Sequence, residues 1–156
     1  MIKIMFVCHG NICRSPMAEF VLKDMITKKG LENQFYIASA ATSREEIGNP
    51  VHPGTRKVLN KYGIGVEGKY AIQLSKKDVN NYDYIIGMEQ INISNINKII
   101  GENTNCKVDR LLDFTEHPRD IADPWYTGDF EKTYEDIYEG CEAFLIECIS
   151  FDKDKE

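Results

Sequence analysis

Apolar residues occur along the chain in two alternating patterns. Short, mostly apolar runs predict four β-strands, at residues 2–7, 35–39, 84–88 and 107–111. Apolar residues three or four positions apart predict helices at 16–29, 55–61 and 90–100, and a long C-terminal helix from 129 to about 149. This alternation predicts an α/β three-layer sandwich, in which a four-stranded parallel sheet carries helices on both faces.

The segments between these elements are rich in turn-forming residues. Residues 40–53 contain many Ser, Thr, Gly, Asn and Pro residues and predict a loop. Ser75 followed by Asp78 resembles a capping box, which predicts a further short helix. Ligands of an open parallel sheet bind beyond the carboxyl ends of its strands. The loop after the first strand is therefore the expected binding site.

That loop combines a thiol, a guanidinium and a helix N-terminus. The N–H groups and the dipole of a helix N-terminus bind anions, and Gly10 gives the loop the freedom to wrap a phosphoryl group. Ser15 is expected at the N-cap and Pro16 in the first helical turn. Cys8 is expected to be a nucleophilic thiolate, since helix N-termini and nearby cations favour that form. Arg14 can hold two phosphoryl oxygens at once.

Composition narrows the class of protein further. With 156 residues, of which 42% are hydrophobic, the chain is long enough for one domain with a well-packed core. A net charge of −6 argues against general nucleic-acid binding, which depends on Lys and Arg. The five cysteines are an odd number, and the sequence has neither a secretory hydrophobic region nor an apolar run of ~18 residues. We therefore expect a cytoplasmic protein without a membrane span.

Residues 8–16 read Cys-His-Gly-Asn-Ile-Cys-Arg-Ser-Pro. This loop resembles the signature Cys-x-Gly-Asn-x-Cys-Arg-Ser-Pro of the low-molecular-weight protein tyrosine phosphatases. Segments 39–43, 47–50, 82–85 and 123–126 resemble segments of the same family in the same order. The resemblance implies one phosphatase domain over residues 1–156, which hydrolyses phosphotyrosine through a cysteinyl-phosphate intermediate.

The resemblance also implies roles for individual residues. Cys8 would be the nucleophile and Arg14 the phosphate clamp. Asp123, in the turn Asp-Pro-Trp-Tyr, would protonate the leaving oxygen and later accept a proton from the attacking water. Asn11 would hold the shape of the loop through a hydrogen bond to Ser39.

The remaining contacts to the substrate are expected from the loop and from the aromatic residues after Asp123. The hydroxyl of Ser15 is expected to donate to the sulfur of Cys8, and Trp125 and Tyr126 to stack on a phenyl ring. Backbone N–H groups would bind the phosphoryl oxygens. The residues expected to contact phosphate are His9, Gly10, Asn11, Ile12, Cys13 and Ser15. The aspartates near the general acid, expected to be solvated, are Asp109, Asp113 and Asp120.

The other cysteines and the histidines give weaker signals. The resemblance implies that Cys13 forms a reversible disulfide with Cys8, and simple packing beneath the loop is the alternative. The cysteines expected to be packing residues are Cys106, Cys141 and Cys148. The histidines lack the spacing of metal ligands and are expected to be solvated, so neither a metal nor another cofactor is expected. These histidines are His9, His52 and His117.

Three positions depart from the familiar pattern of the family. Glu45 stands where an aromatic residue is usual, Ile72 where an arginine is common and Glu89 where an aspartate is common.

We expect a phosphotyrosine protein as substrate, phosphate or vanadate as competing ligands, and a monomer. A protein arginine phosphatase of the same fold is the main alternative, and Ile12 argues against it because that branch has Thr there. An arsenate reductase, which needs two further cysteines, and a non-catalytic phosphate-binding protein are the others.

Overall fold

A computed structural model describes residues 1–102 and 104–155 of the chain. Its centre is one four-stranded sheet in the order β2-β1-β3-β4, and every pairing is parallel. The strands are β1 (Ile2–Cys8), β2 (Phe35–Ala41), β3 (Tyr84–Gly87) and β4 (Lys107–Arg110). The helices are α1 (Arg14–Lys28), α2 (Pro53–Lys61), α3 (Gln90–Ile100), α4 (Pro124–Thr127) and α5 (Phe130–Lys155).

Two apolar clusters cover the two faces of the sheet. Successive side chains of β1 point to opposite faces, as a strand requires. Ile4 and Phe6 pack with α1, α2 and α5, where Phe144 meets the ring of Phe6 edge-on. Met5 and Val7 pack on the other face with α3. The predicted three-layer α/β fold is therefore confirmed.

Most predicted boundaries lie within two residues of the observed ones, and the start of α1 carries the main correction. α1 begins at Arg14, so Ser15 lies in the first turn and the prediction that it is the N-cap is wrong. Cys13 holds the N-cap position, and its side chain makes no capping hydrogen bond. The reason is that the hydroxyl of Ser15 is engaged inside the loop, with Cys8 and Asn11.

Two short helical elements refine the remaining loops. The expected capping box of Ser75 and Asp78 is present and opens a 3-10 helix, Lys76–Asn80. The turn after Asp123 is one helical turn, α4, with Asp123 as its N-cap and Pro124 as its first residue. No helix in the described part of the chain has the length and hydropathy that crossing a bilayer requires.

The carboxyl ends of the strands bring three loops together. The loop after β2 joins the end of β1 through the hydrogen bond from Thr42 N–H to the Cys8 carbonyl, 3.0 Å long. The segment before α4 joins the end of β3 through Ile121 N–H, which donates to the Met88 carbonyl at 2.9 Å. These contacts position the loop of residues 8–14 between the other two loops.

Candidate active site

The loop of residues 8–14, here called the phosphate loop, turns sharply at Asn11. Asn11 has a φ of 58°, and it is the one non-glycine residue with positive φ in residues 1–102 and 104–155. Gly10, expected to give the loop its conformational freedom, does not adopt the left-handed backbone conformation; Asn11 adopts it instead. The turn directs the Asn11 N–H to the sulfur of Cys8 at 3.3 Å. A left-handed residue in such a loop turns successive N–H groups inward, which forms a concave anion site.

The Asn11 side chain fixes the direction of a buried hydrogen-bond network. Its Oδ1 accepts from the Ile72 N–H at 3.2 Å, so its NH₂ group faces the hydroxyls of Ser15 (2.7 Å) and Ser39 (3.0 Å). Both hydroxyl oxygens accept from Asn11, which leaves each hydroxyl proton for another partner. Ser39 donates to Glu19, and Ser15 is left to donate to Cys8 Sγ at 3.1 Å.

Glu19 ends this network as a buried carboxylate with cationic neighbours. It accepts from Ser39 at 2.6 Å and from Lys23. Lys69 lies 3.9 Å from Glu19 and donates to the Ser39 carbonyl at 2.8 Å. Burial lowers the pKa of Lys69, and Glu19 opposes that effect. An ionised carboxylate is an acceptor only, so Glu19 keeps the Ser39 proton pointing away from Asn11.

Arg14 is a buried cation between the phosphate loop and two carboxylates. The residue is 1% exposed; its Nη1 donates to the Ile121 carbonyl at 2.8 Å. Its Nη2 donates to Glu89 at 3.1 Å and to Asp123 at 3.4 Å. Burial alone would lower the pKa of Arg14, but Cys8, Asp123 and Glu89 outweigh it and raise that pKa. The guanidinium is therefore a fixed positive charge at the base of the cleft.

Asp123 is held from two sides. Its Oδ1 accepts from the Trp125 N–H at 3.0 Å, which caps α4, and its Oδ2 faces Arg14. The side chain remains 22% exposed and lines the same cleft as Cys8. A carboxyl group in this position faces any ligand bound by the phosphate loop.

The competing aspartates do not line this cleft, and two of them are paired. Asp113 and Asp120 both accept from Arg110, and Asp120 also accepts from the Gln90 N–H at 2.8 Å. Asp120 is nevertheless 49% exposed, so the prediction that it is solvated is confirmed, whereas Asp113 is 31% exposed and partly shielded. Asp109 is half-buried, and burial raises its pKa.

The cleft has a volume of about 200 Å³ and is lined by both charged and aromatic residues. The aromatic residues, Trp125 and Tyr126, are 58% and 84% exposed. Among the charged residues, the Glu45 carboxylate lies 3.0 Å from Nε2 of His9. The residues lining the cleft are Cys8, His9, Gly10, Ile12, Cys13, Arg14, Glu45, Glu46, Asp123, Trp125 and Tyr126.

The side chains of Ile12 and Cys13, which belong to the phosphate loop, are buried. Both pack with Ala71 and Phe130, and Ile12 is 9% exposed. Burial raises the pKa of Cys13 to about 12, and the charge of Cys8 adds to that shift. Cys13 is therefore a neutral thiol at physiological pH. The cysteines whose predicted packing role is confirmed by burial in the core clusters are Cys106, Cys141 and Cys148.

His52 has a structural role in this region that was not predicted from the sequence. Its Nδ1 accepts from the Gly54 N–H at 3.0 Å and caps α2, and its ring contacts Trp125 and Phe130. The prediction of a solvated histidine is wrong here, although His117 is exposed. The available signal was Pro53, since proline favours the first position of a helix and so marks His52 as the N-cap.

The described residues do not include three His, Cys, Asp or Glu side chains grouped closely enough to hold a metal ion. What the cleft contains is a cysteine within reach of two hydrogen-bond donors, a buried arginine and an aspartate that contacts the arginine. At the carboxyl end of a parallel sheet, this combination is typical of phosphatases that use a cysteine.

Comparison with known proteins gives the family. The sequence model of the family described as "Low molecular weight phosphotyrosine protein phosphatase" matches residues 3–156. The chain belongs to this family. Its function class, a protein-tyrosine-phosphatase and hence a hydrolase acting on phosphoproteins, is as the sequence predicted.

Individual relatives match 93–100% of the chain. The low molecular weight protein-tyrosine-phosphatase YfkJ of Bacillus subtilis (strain 168) is 42% identical, covering 100% of this chain and 99% of YfkJ. Its crystal structure matches with a TM-score of 0.92 over 100% of this chain and 98% of that one. PtpA of Staphylococcus epidermidis is 39% identical over 93% of this chain and 92% of its own length. The Streptococcus pyogenes enzyme SP-PTP is 40% identical, with a TM-score of 0.84 over 94% and 93% of the two chains.

Proposed function

We propose that this chain hydrolyses phosphotyrosine through a cysteinyl-phosphate intermediate, with Cys8 as nucleophile, Arg14 as phosphate clamp and Asp123 as general acid and base. One observation carries the proposal. Cys8 Sγ is within hydrogen-bond distance of the Ser15 hydroxyl and the Asn11 N–H, and it lines one cleft with Arg14 and Asp123. Hydrogen bonds to a thiolate stabilise it, and the thiolate is the reactive form.

The first step is phosphoryl transfer to the enzyme. Backbone N–H groups of residues 9–14 and the Arg14 guanidinium bind the phosphoryl oxygens, and Cys8 attacks phosphorus in line with the ester oxygen. The S–P bond forms as the P–O bond breaks. Asp123 gives its proton to the departing tyrosyl oxygen. Arg14 Nη2 now contacts Asp123, so a bound phosphoryl group competes for the same N–H donors and releases the carboxyl group.

The second step returns the enzyme to its starting state. Asp123 accepts a proton from water, whose oxygen attacks phosphorus, and the S–P bond breaks to release inorganic phosphate. The Ser15 hydroxyl, whose proton points to Cys8, stabilises the thiolate that leaves. Inorganic phosphate and vanadate are therefore expected to compete with the substrate.

Tyrosine is the favoured substrate because of the cleft and the relatives. A phenyl ring can stack on the exposed faces of Trp125 and Tyr126 while its phosphoryl group reaches Cys8. The matched YfkJ and PtpA proteins are named protein-tyrosine-phosphatases. An arginine phosphatase and an arsenate reductase are not favoured. An arsenate reductase needs two further cysteines, and Cys106 packs in the core on the α3 side of the sheet.

We propose a monomeric enzyme of one phosphatase domain that works in the cytoplasm. The support is the reducing character of that compartment, which keeps a catalytic thiol free. A reversible disulfide between Cys8 and Cys13 is proposed as its protection against oxidants.

Trapping the covalent intermediate tests the mechanism. The parent enzyme is mixed with p-nitrophenyl phosphate in the presence of a metal chelator, quenched in acid and digested for mass spectrometry. We expect a phosphorylated peptide that contains Cys8. Cys8→Ser should abolish turnover yet retain phosphate binding, and the control Cys106→Ser should turn over like the parent. Turnover by Cys8→Ser would contradict the covalent mechanism.

A further inference from the structure

We propose that His52 is a positioning residue for the general acid: its ring holds Trp125, and Trp125 in turn holds the carboxylate of Asp123. This inference rests on the proposed role of Asp123. His52 lies outside the phosphate loop and outside the set of residues that line the cleft. It therefore acts through Trp125 and has no contact with the substrate.

The backbone around His52 is tied to the phosphate loop. The His52 N–H donates to the Ile12 carbonyl at 2.9 Å, and the Thr55 hydroxyl donates to the Cys13 carbonyl at 3.3 Å. The Nδ1 atom of His52 also accepts from the Gly54 N–H. The first turn of α2 thus has a defined position relative to the loop that carries the nucleophile.

The ring of His52 is clamped by two aromatic residues within residues 123–130, here called the acid segment. It stacks on Phe130, with ring centres 5.0 Å apart and an angle of 18°, and meets Trp125 edge-on at 5.7 Å and 79°. Phe130 is the first residue of α5, which follows α4 directly. A Cβ atom at Gly54 would come within 2.5 Å of the Phe130 ring, so Phe130 packs tightly on the start of α2. Trp125 and Phe130 of the acid segment therefore both pack on the start of α2.

The position of Asp123 depends on this clamp because α4 is a single turn. Trp125 N–H donates to Asp123 Oδ1 at 3.0 Å, and Tyr126 N–H donates to the Asp123 carbonyl at 3.1 Å. A single helical turn has little stability of its own and needs tertiary contacts. The ring of Trp125, more than half exposed, receives such a contact from His52. Loss of the ring contact is expected to loosen the capping geometry of Asp123.

Two substitutions at His52 separate the effect of its ring from the effect of its cap on α2. His52→Asn keeps a side-chain oxygen that can cap α2 but removes the ring, and His52→Phe keeps a ring but has no acceptor. The readout is kcat/KM on two esters, phenyl phosphate, which needs a proton on its leaving oxygen, and 2,4-dinitrophenyl phosphate, which does not. His117→Asn, at an exposed histidine, is the matched control.

We expect His52→Asn to lose about 10-fold on phenyl phosphate and less than about 2-fold on the dinitrophenyl ester, part of the ~10²–10⁴ that a general acid contributes. His52→Phe should unfold at a lower temperature but keep the leaving-group dependence of the parent. Phe130→Leu, which removes the stacked ring and leaves the cap in place, should repeat the selective loss of His52→Asn. The loss should disappear when Asp123→Ala is already present, because the two changes act on one group.

The outcomes distinguish this inference from the proposed function. Equal changes of His52→Asn on both esters, or the same selective loss in His52→Phe, would overturn the role of the ring. A further selective loss in the Asp123→Ala background would also overturn it, since His52 would then act elsewhere. If Asp123→Ala itself shows no leaving-group dependence, the assignment of the acid fails and the inference fails with it.

Discussion

Ser39 donates its hydroxyl proton to the carboxylate of Glu19 across 2.6 Å, although neither residue lines the catalytic cleft. This bond and the donation from the Ile72 N–H to Asn11 Oδ1 together set the direction of the hydrogen bonds between Glu19 and Cys8. Because the Ser39 proton is given to Glu19, the Ser39 oxygen accepts from Asn11, and Asn11 also donates to Ser15. The remaining donor, the Ser15 hydroxyl, faces the sulfur of Cys8.

Replacing Glu19 by Gln is expected to weaken catalysis from a distance. A glutamine amide can donate to Ser39 as well as accept from it, so the network is no longer fixed from the Glu19 end and Asn11 alone orients it. A hydrogen bond to a charged group contributes roughly 1.5–3 kcal/mol, so we expect kcat/KM to fall by about 10-fold. Thermal stability should fall as well, because Lys69 loses the carboxylate that compensates its burial. Steady-state kinetics and thermal unfolding measure the two effects.

Glu32→Gln is the matched control, since Glu32 is exposed in a short 3-10 helix. It should change neither kcat/KM nor the unfolding temperature. Parent-like kcat/KM in Glu19→Gln would show that the orientation of Ser15 does not depend on Glu19.

The sequence predicted this site where the information is local. Cys8 and Arg14 lie on one loop at a strand–helix junction, and the chemistry of that loop follows from its residue types. The relation of Glu19 to Ser39 could not be predicted locally, because it arises where α1 packs on β2. The Asn11 turn was missed for a different reason. Glycine is the usual residue at positive φ, and Asn11 takes that conformation here because its side chain is hydrogen-bonded on every side.

Asp123→Ala is expected to make the rate depend strongly on the leaving group. Phenyl phosphate, a model of phosphotyrosine, should lose ~10²–10⁴ in kcat/KM, the usual contribution of a general acid. An ester with a strongly acidic leaving group should lose far less, because it departs without a proton. Steady-state kinetics on both esters checks this. Equal losses of kcat/KM on the two esters would show that another residue is the general acid. Asp120→Ala would then be the next variant to measure.

Mild peroxide is expected to inactivate the enzyme reversibly through Cys8 and Cys13. Cys8 reaches the cleft and takes the oxidant as a sulfenic acid, and the buried thiol of Cys13 then displaces water to form the disulfide. Because the pKa of Cys13 is about 12, Cys13 itself resists direct oxidation at neutral pH. Peptide mapping should find the Cys8–Cys13 disulfide, and thiols should restore activity.

Cys13→Ser tests the protective role of this disulfide. Under the same peroxide treatment, the variant should lose activity that thiols do not restore, with sulfinic acid on Cys8. Sulfinic acid on Cys8 of the parent enzyme, with Cys13 still free, would contradict the protective role. Cys141→Ser, at a cysteine in the core of α5, serves as the control and should behave like the parent.

Phosphotyrosine peptides are expected to exceed phosphoarginine peptides in kcat/KM by at least ~10-fold, or roughly 1.4 kcal/mol of transition-state binding. Ile12 is the position that separates the two substrate classes. Its side chain packs with Ala71 and Phe130 and brings no hydrogen-bonding group to the cleft. Glu45 and Glu46 line the same cleft and would attract a guanidinium. The preference for phosphotyrosine therefore depends on the absence of a hydrogen-bonding group at Ile12.

Ile12→Thr should therefore narrow the gap between the two substrates, because a hydroxyl can help orient attack on a phosphoramidate. Ile12→Val is the matched control: it shortens the side chain without adding a hydroxyl, so any loosening of the Ala71–Phe130 contact appears in both variants. Competition assays with paired peptides measure the ratio directly. An equal narrowing in Ile12→Val would assign the effect to packing. A preference of the parent enzyme for phosphoarginine would overturn the assignment of phosphotyrosine as the substrate. The proposed roles of Cys8, Arg14 and Asp123 would stand, because both substrates require the same attack on phosphorus.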